Sequence, residues 1–202
     1  VSLPNTKPAE ALFAGAPKPL KNLLAAADKS GGRPKGFALK ASVKLDRTTT
    51  SASITSPNVI GMIPGSDPKL ANEYVLLMAH LDHNGIDEKK KEDKIYNGPM
   101  DNASGTAALL EAARALASGP APKRSVIFAA VTAEERGLLG SDYLARNPVI
   151  ANGKVVSVVN LDMPILLYDF QDVIAFGAEH STLGPAVARA AQKMGLSLSP
   201  DP

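Results

Sequence analysis

Three apolar runs in this chain each stop at acidic or imidazole side chains. Tyr74-Val-Leu-Leu-Met-Ala79 leads into His80-Leu81-Asp82-His83, Ser125-Val-Ile-Phe-Ala-Ala-Val-Thr132 into Glu134-Glu135, and Lys154-Val-Val-Ser-Val-Val159 into Asn160 and Asp162. Short apolar runs rich in Val and Ile predict buried strands. Helical patterns alternate with them, from 103 to about 116, over 137–146 and over 181–194. That alternation predicts an α/β fold: a three-layer sandwich with a mostly parallel central sheet covered by helices on both faces. In such sheets ligands gather outside the carboxyl ends of the strands. A fourth acidic residue, Asp101, stands between the Gly98-Pro99 turn signal and the apolar helical run that starts at Ala107. Clusters of His, Asp and Glu at one sheet edge predict a metal site.

The rest of the chain is read by the same rules. Residues 8–15 and 20–27 predict short helices, the first opened by Pro8 and closed by Gly15. The alternation of Phe37, Leu39, Ala41, Val43 and Leu45 predicts a half-buried strand over 37–46, paired with the Thr- and Ser-rich stretch 48–56. Residues 58–63 predict a short buried strand stopped by Pro64-Gly65, and 171–176 a further strand. Residues 84–94, where Lys89, Lys90 and Lys91 sit among Glu88, Glu92 and Asp93, predict a solvated loop.

Composition removes several function classes. A net charge of +2 gives no case for nucleic acid or an anionic membrane as partner. Aromatics are only 4% and Trp is absent, which argues against base-stacking platforms. No Cys means no thiolate ligand, disulfide or Cys nucleophile. No apolar run is long enough to span a bilayer. Val1 is not an initiator Met and no signal peptide is visible, so the chain reads as a mature product or an excised piece.

Each candidate residue has a plain structural reading beside the chemical one. Asp82 lies two residues beyond His80, on the same side of a strand end. Its carboxylate can therefore hold the imidazole and fix its tautomer, as partners of metal-bound His do. Asp101 can cap the following helix, but Ser104 is better placed to cap a helix starting at Gly105 or Thr106. Glu134 and Glu135 can be first-turn acids. As adjacent carboxylates they also point apart, so that one can bind metal while the other handles protons. His83, three residues after His80, reads as a loop or supporting residue, because Asp82 already fills the partner position. His180, followed by Ser181 as a candidate helix cap, reads as structural. Ser104 is not in a Gly-x-Ser-x-Gly elbow, which leaves serine nucleophile chemistry without support.

Taken together, His80-Leu-Asp82, Gly98-Pro-Met-Asp101-Asn-Ala-Ser-Gly105, Ala133-Glu134-Glu135-Arg-Gly-Leu-Leu-Gly140-Ser141 and Asn160-Leu-Asp162 resemble the motifs of the co-catalytic zinc aminopeptidases. These are the bacterial leucyl aminopeptidase and aminopeptidase Y type of zinc exopeptidase, and the likeness runs from about residue 58 to 201. The resemblance implies that Asp101 bridges two Zn²⁺, that His80 and Asp162 complete the ligands of one, and that Glu135 binds the other. It implies Glu134 as general base, Asp82 as the residue orienting His80, and a cis peptide between Asp101 and Asn102. The implied activity is removal of N-terminal residues, the partner a peptide with a free N-terminus, and the location secreted or periplasmic.

The family's fifth ligand is a His well downstream of the position matching Asp162. The expectation is therefore a truncated catalytic domain over 37–202. Residues 1–36 would be the exit of a protease-associated insertion plus linker helices. On this reading the second metal lacks a ligand, so one Zn²⁺ or none is expected in this chain, with little activity. Two other readings share the fold: a single-metal glutaminyl-cyclase-like acyltransferase and a non-catalytic binding module. The presence of His80, Asp101, Glu135 and Asp162 together with Glu134 favours the two-zinc aminopeptidase over both.

Overall fold

The computed structural model describes residues 7–165 and 167–201. It divides into two compact units, Val1–Ser53 and Ile54–Pro202.

The first unit contains helices α1 (Lys7–Leu12) and α2 (Leu20–Ala27). Gly15, at φ +70°, turns the chain after α1. The Phe13 and Phe37 rings meet edge-on with centroids 6.2 Å apart. The strand expected over 37–46, and its pairing with 48–56, do not form. Alternation alone does not make a strand. Its N–H and C=O groups need a ladder partner, and its apolar side needs a surface to cover it. Here Val43 and Leu45 remain exposed.

The second unit is built on a sheet of β1 (Val59–Ile63), β2 (Glu73–His80), β3 (Ser125–Val131) and β4 (Lys154–Asn160), in the order β1-β3-β2-β4. Strand β2 runs parallel to both β3 and β4, while β1 pairs antiparallel with β3. Side chains alternate along β3. Val126 and Phe128 join Ala79 on one face, where Leu109 of α3 (Gly105–Ser118) buries itself against them. Ala112, Ala113 and Leu116 extend the same contact at helical spacing. Ala129 and Val131 face the other way and meet Leu144 of α4 (Leu139–Arg146). Burying a side chain such as Phe128 or Leu109 contributes about 1.5–3 kcal/mol, so β3 anchors both helical layers.

The two outer strands differ from expectation. β1 was expected to be buried, yet it is an edge with Val59 and Met62 exposed. β4 is the opposite edge, and Val155, Val156 and Val158 are 40–49% exposed. The strand expected over 171–176 appears as β5 (Asp172–Ile174). It pairs with β6 (Ser197–Ser199) in a separate two-stranded parallel sheet, with α5 (Leu183–Lys193) between them in sequence.

Register decides what happens at the carboxyl ends. His80 lies opposite Val131, and Met78 opposite Asn160. Two positions further on, Asp162 stands level with His80, and the β3 turn begins beside Asp82. The three acid- and imidazole-bearing strand ends therefore open onto the same edge.

Candidate metal centre

Beyond the last paired residues the ladder continues one step, with Leu81 N–H donating to Val131 O and Leu161 N–H to Met78 O, each at 2.8 Å. The chain then bends sharply. Ala133 (φ +54°) and Met163 (φ +48°) both adopt left-handed backbone next to Glu134 and Asp162. That conformation costs a non-glycine residue about 1–2 kcal/mol and clusters at functional sites.

Asp101 comes from a short helical turn, Pro99–Ser104, which runs into α3. The Asp101–Asn102 peptide is cis, as the resemblance implies. Buried Asn102 clamps this turn to the sheet. Its Nδ2 donates to Leu161 O at 2.9 Å, and its Oδ1 accepts from Gly105 N at 3.0 Å and Met163 N at 3.1 Å. The helix begins at Gly105 as expected, but Asn102 caps it. Ser104 instead donates to Met100 O at 2.7 Å. Gly105 suits this packing, because a Cβ there would come within 2.5 Å of Leu161 O.

His80 is 2% exposed and fixed at both ends of its residue. Thr106 Oγ1 donates to its carbonyl at 3.0 Å, and its own Nδ1 pairs with Asp82 O at 3.0 Å. A carbonyl only accepts, so Nδ1 carries a hydrogen, and in the neutral ring the lone pair lies on Nε2. Asp82 thus orients His80, though not through its carboxylate as the sequence suggested. The carboxylate stands 3.8 Å from Nδ1 and accepts instead from Glu134 N at 3.0 Å and Glu135 N at 3.3 Å. It fixes the backbone of the glutamate pair.

His80 Nε2 is buried and has no hydrogen-bond partner among the described residues. It lies 3.1 Å from Asp101 Oδ1 and 3.4 Å from Asp162 Oδ1. A buried polar atom left unpaired costs about 1–3 kcal/mol, and an imidazole lone pair facing two carboxylate oxygens adds repulsion. A cation between the three atoms removes both penalties. One imidazole nitrogen and two carboxylate oxygens are also a donor set suited to Zn²⁺. The residues present therefore fit the implied metal.

A second group lies beside the first. Ligand-type atoms of His83, Asp101 and Glu135 lie within 4.8 Å of one another. His83 Nδ1 contacts Glu135 Oε1 and stands 3.7 Å from Asp101 Oδ2. Asp101 belongs to both groups, with Oδ1 toward His80 and Oδ2 toward His83. His83, expected as a loop or supporting residue, thus lies against Asp101 and Glu135. The i, i+3 spacing from His80 was the available signal for His83. What places its ring is tertiary: Tyr96 packs edge-on at 5.8 Å, and Gly98 leaves room that a Cβ would fill, at 3.2 Å from the His83 Cβ. His180 joins neither group; it is exposed and pairs with Glu179 at 3.1 Å.

The carboxylates of Asp82, Asp101, Glu135 and Asp162 make their ion pairs, among the described residues, with His80 and His83. This excess of negative charge shifts the groups at its centre. Burial pushes the Glu134 carboxyl up, and the charges of Asp162, Glu135 and Asp101 add to that against the opposing pull of His80. For His80 burial acts downward, but Asp162, Glu134, the Asp82 carbonyl and Asp101 outweigh it, and the imidazole's pKa is raised. A group whose folded pKa is raised favours folding while its proton is on, and withdraws that support as pH rises through the folded value. The metal-free protein should therefore lose stability from the ordinary glutamate range upward past the ordinary histidine range. Urea midpoints measured with chelator at ~pH 5 and ~pH 8 should fall with pH.

Residues 58–202 match the model of peptidase family M28. The chain belongs to this family. The M28 chain is 35% identical over 156 residues to leupeptin-inactivating enzyme 1 of Streptomyces exfoliatus, covering 68% of this chain and 32% of that protein. It is 36% identical over 110 residues to a probable zinc metalloprotease of Pyrenophora teres f. teres, covering 54% and 22%. With aminopeptidase NAALADL1 of Mus musculus the identity is 32% over 151 residues, covering 68% and 17%. The M28 chain thus spans about a third or less of the length of these relatives. Among solved structures, a leucine aminopeptidase precursor from Bacteroides thetaiotaomicron superposes with TM-score 0.54 at 24% identity, covering 72% of this chain and 57% of that one. A Porphyromonas gingivalis glutaminyl cyclase superposes with TM-score 0.55 at 24% identity, covering 72% and 56%. These two likenesses show the fold. No helix among the described residues is long and apolar enough to cross a membrane.

Proposed function

We propose that this M28 chain carries the zinc-dependent site of an aminopeptidase. The observation that carries the reading is the buried, unpartnered His80 Nε2 aimed at Asp101 and Asp162. His80, Asp101 and Asp162 would hold one Zn²⁺, and Asp101 and Glu135 would contribute to holding the other. Zinc, when bound, supplies Lewis-acid polarisation of a carbonyl and lowers the pKa of water.

The chain's own residues supply the rest. Glu134 takes a proton from the attacking water at its carboxylate and passes it to the leaving amine. Its raised pKa moves it toward the operating pH, where a general base works best. Asp82 holds the backbone of Glu134 and Glu135 in place by accepting both of their N–H groups. An open cleft of about 330 Å³ beside the site, lined by Leu81, His83, Asp101, Thr106 and Leu110, gives room for a substrate residue.

The fold is shared with glutaminyl cyclases, so fold alone does not choose the reaction. Aminopeptidase and zinc metalloprotease relatives and the two donor groups around Asp101 favour hydrolysis. The test is to offer the zinc-loaded protein leucyl-p-nitroanilide, its N-acetyl derivative and a peptide with N-terminal glutamine. Chelator-sensitive release from the free amine alone supports the reading. Cyclisation of the glutamine peptide without hydrolysis, or release that ignores chelator, overturns it.

A further inference from the structure

We infer that Asn58 is a positioning residue for the Glu134–Glu135 pair: its side-chain amide clamps the neck of the loop that carries both glutamates, and so sets where the Glu134 carboxylate stands. The inference rests on Glu134 being the general base, as proposed above.

The loop runs from Thr132, directly after β3, to Gly140, in the first turn of α4. Within it Ala133 (φ +54°) and Leu138 (φ +61°) are non-glycine residues with left-handed backbone. Such a conformation persists only where its surroundings over-determine it. Asp82 supplies one restraint, at the N–H groups of residues 134 and 135. The other lies at the neck, where Gly140 N donates to Thr132 O at 2.9 Å. Across this closure Asn58 Oδ1 accepts from Thr132 N at 3.0 Å, and Asn58 Nδ2 donates to Gly140 O at 2.8 Å. One amide thus bridges the residue that enters the loop and the residue that leaves it. Glu134 and Glu135 stand two and three positions beyond Thr132, so a shift of the neck moves both.

The sequence explains why a side chain does this. The β1–β3 ladder ends at Val59 opposite Ala130. Pro57 has no N–H with which to lengthen it, and the Asn58 amide takes over from the main chain. Holding a donor and an acceptor at once needs a group that carries both, as an amide does and a carboxylate does not. Ser56 Oγ adds a hydrogen bond of 2.7 Å to Thr132 Oγ1. The neck is also tightly packed. Thr132 and Gly140 are buried, and a Cβ at Gly140 would stand 2.2 Å from Thr132 O and 2.6 Å from Asn58 Oδ1.

The test compares the whole chain with its Asn58→Ala variant. In the metal-free proteins, amide hydrogen exchange should quicken at least ~10-fold at Thr132, Glu134, Glu135 and Gly140 and stay unchanged at Leu76 and Ile127 in the sheet, because the opening is local. In the zinc-loaded proteins, kcat for leucyl-p-nitroanilide should fall ~100-fold, the scale of an ångström's misplacement, with KM within about twofold of the parent. In the Glu134→Gln background the same substitution should cost nothing further, since Asn58 acts through Glu134. An unchanged kcat, an equal fall in both backgrounds, or exchange that quickens uniformly across the sheet would overturn the inference and leave Glu134 as the base. Absence of chelator-sensitive turnover in the parent, or near-parental turnover in Glu134→Gln, would overturn the reading of the site and the positioning role with it. In the unsubstituted protein the Thr132 amide should exchange within ~10-fold of Ile127. Exchange at Thr132 as fast as in an open loop would overturn the clamp without any variant, so poor folding of Asn58→Ala does not decide the result.

Discussion

Replacing Glu134 with glutamine is expected to lower peptide hydrolysis by at least about 10²–10⁴-fold, the usual cost of losing a general base, while bound zinc stays unchanged. Glutamine keeps the size of the side chain, and the Asp82 carboxylate still receives the backbone N–H of residues 134 and 135. The variant therefore removes a proton acceptor and little else. Glu135→Gln should behave in the opposite way and lose metal first, because Glu135 is in the second donor group. Steady-state rates read beside zinc content separate the two. Near-parental turnover in Glu134→Gln at equal zinc would remove Glu134 from the role given to it here.

The second large effect is expected at Asn102, which holds neither metal nor substrate. Asn102→Ala leaves the N–H groups of Gly105 and Met163 and the carbonyl of Leu161 without their partner. Each such loss costs about 1–3 kcal/mol when the group stays buried, so the total should reach about 3–5 kcal/mol. For a chain of this length that corresponds to a fall in Tm of roughly 10 °C. Cation affinity should fall as well, since Asn102 ties the Asp101 turn to the strand end that carries Asp162. A Tm within about 3 °C of the parent, with unaltered zinc affinity, would show that the turn holds itself without the clamp.

The strands and helices of the second unit were legible because their signals are local. An apolar run must be buried somewhere, and an acidic or imidazole side chain directly after it has only the strand end to occupy. That is why His80, Glu134, Glu135 and Asp162 could be placed at one edge before any coordinates. Partner choice was less legible, because short side chains compete for the same groups. Ser104 and Asn102 are both good helix caps, and the longer reach of Asn102 across to Leu161 decided the matter. Asp82 had two ways to hold His80, and its main chain did so while its carboxylate served the glutamates.

The placement of His83 was not legible for a related reason. Its position depends on Tyr96 and Gly98, which are 13 and 15 residues away in the chain and reach it only by the fold of an otherwise polar loop. The strand expected over 37–46 failed in the other direction. Its alternation was clear in the sequence, but nothing in its own unit pairs with it among the described residues.

Anomalous diffraction at the zinc edge, from crystals of the protein grown with Zn²⁺, tests the cation site most directly. The expected map has a peak bounded by His80 Nε2, Asp101 and Asp162, and a second on the Glu135 side of Asp101. A well-ordered map at full zinc exposure with no peak beside His80 Nε2 would contradict the reading of this edge as a metal centre.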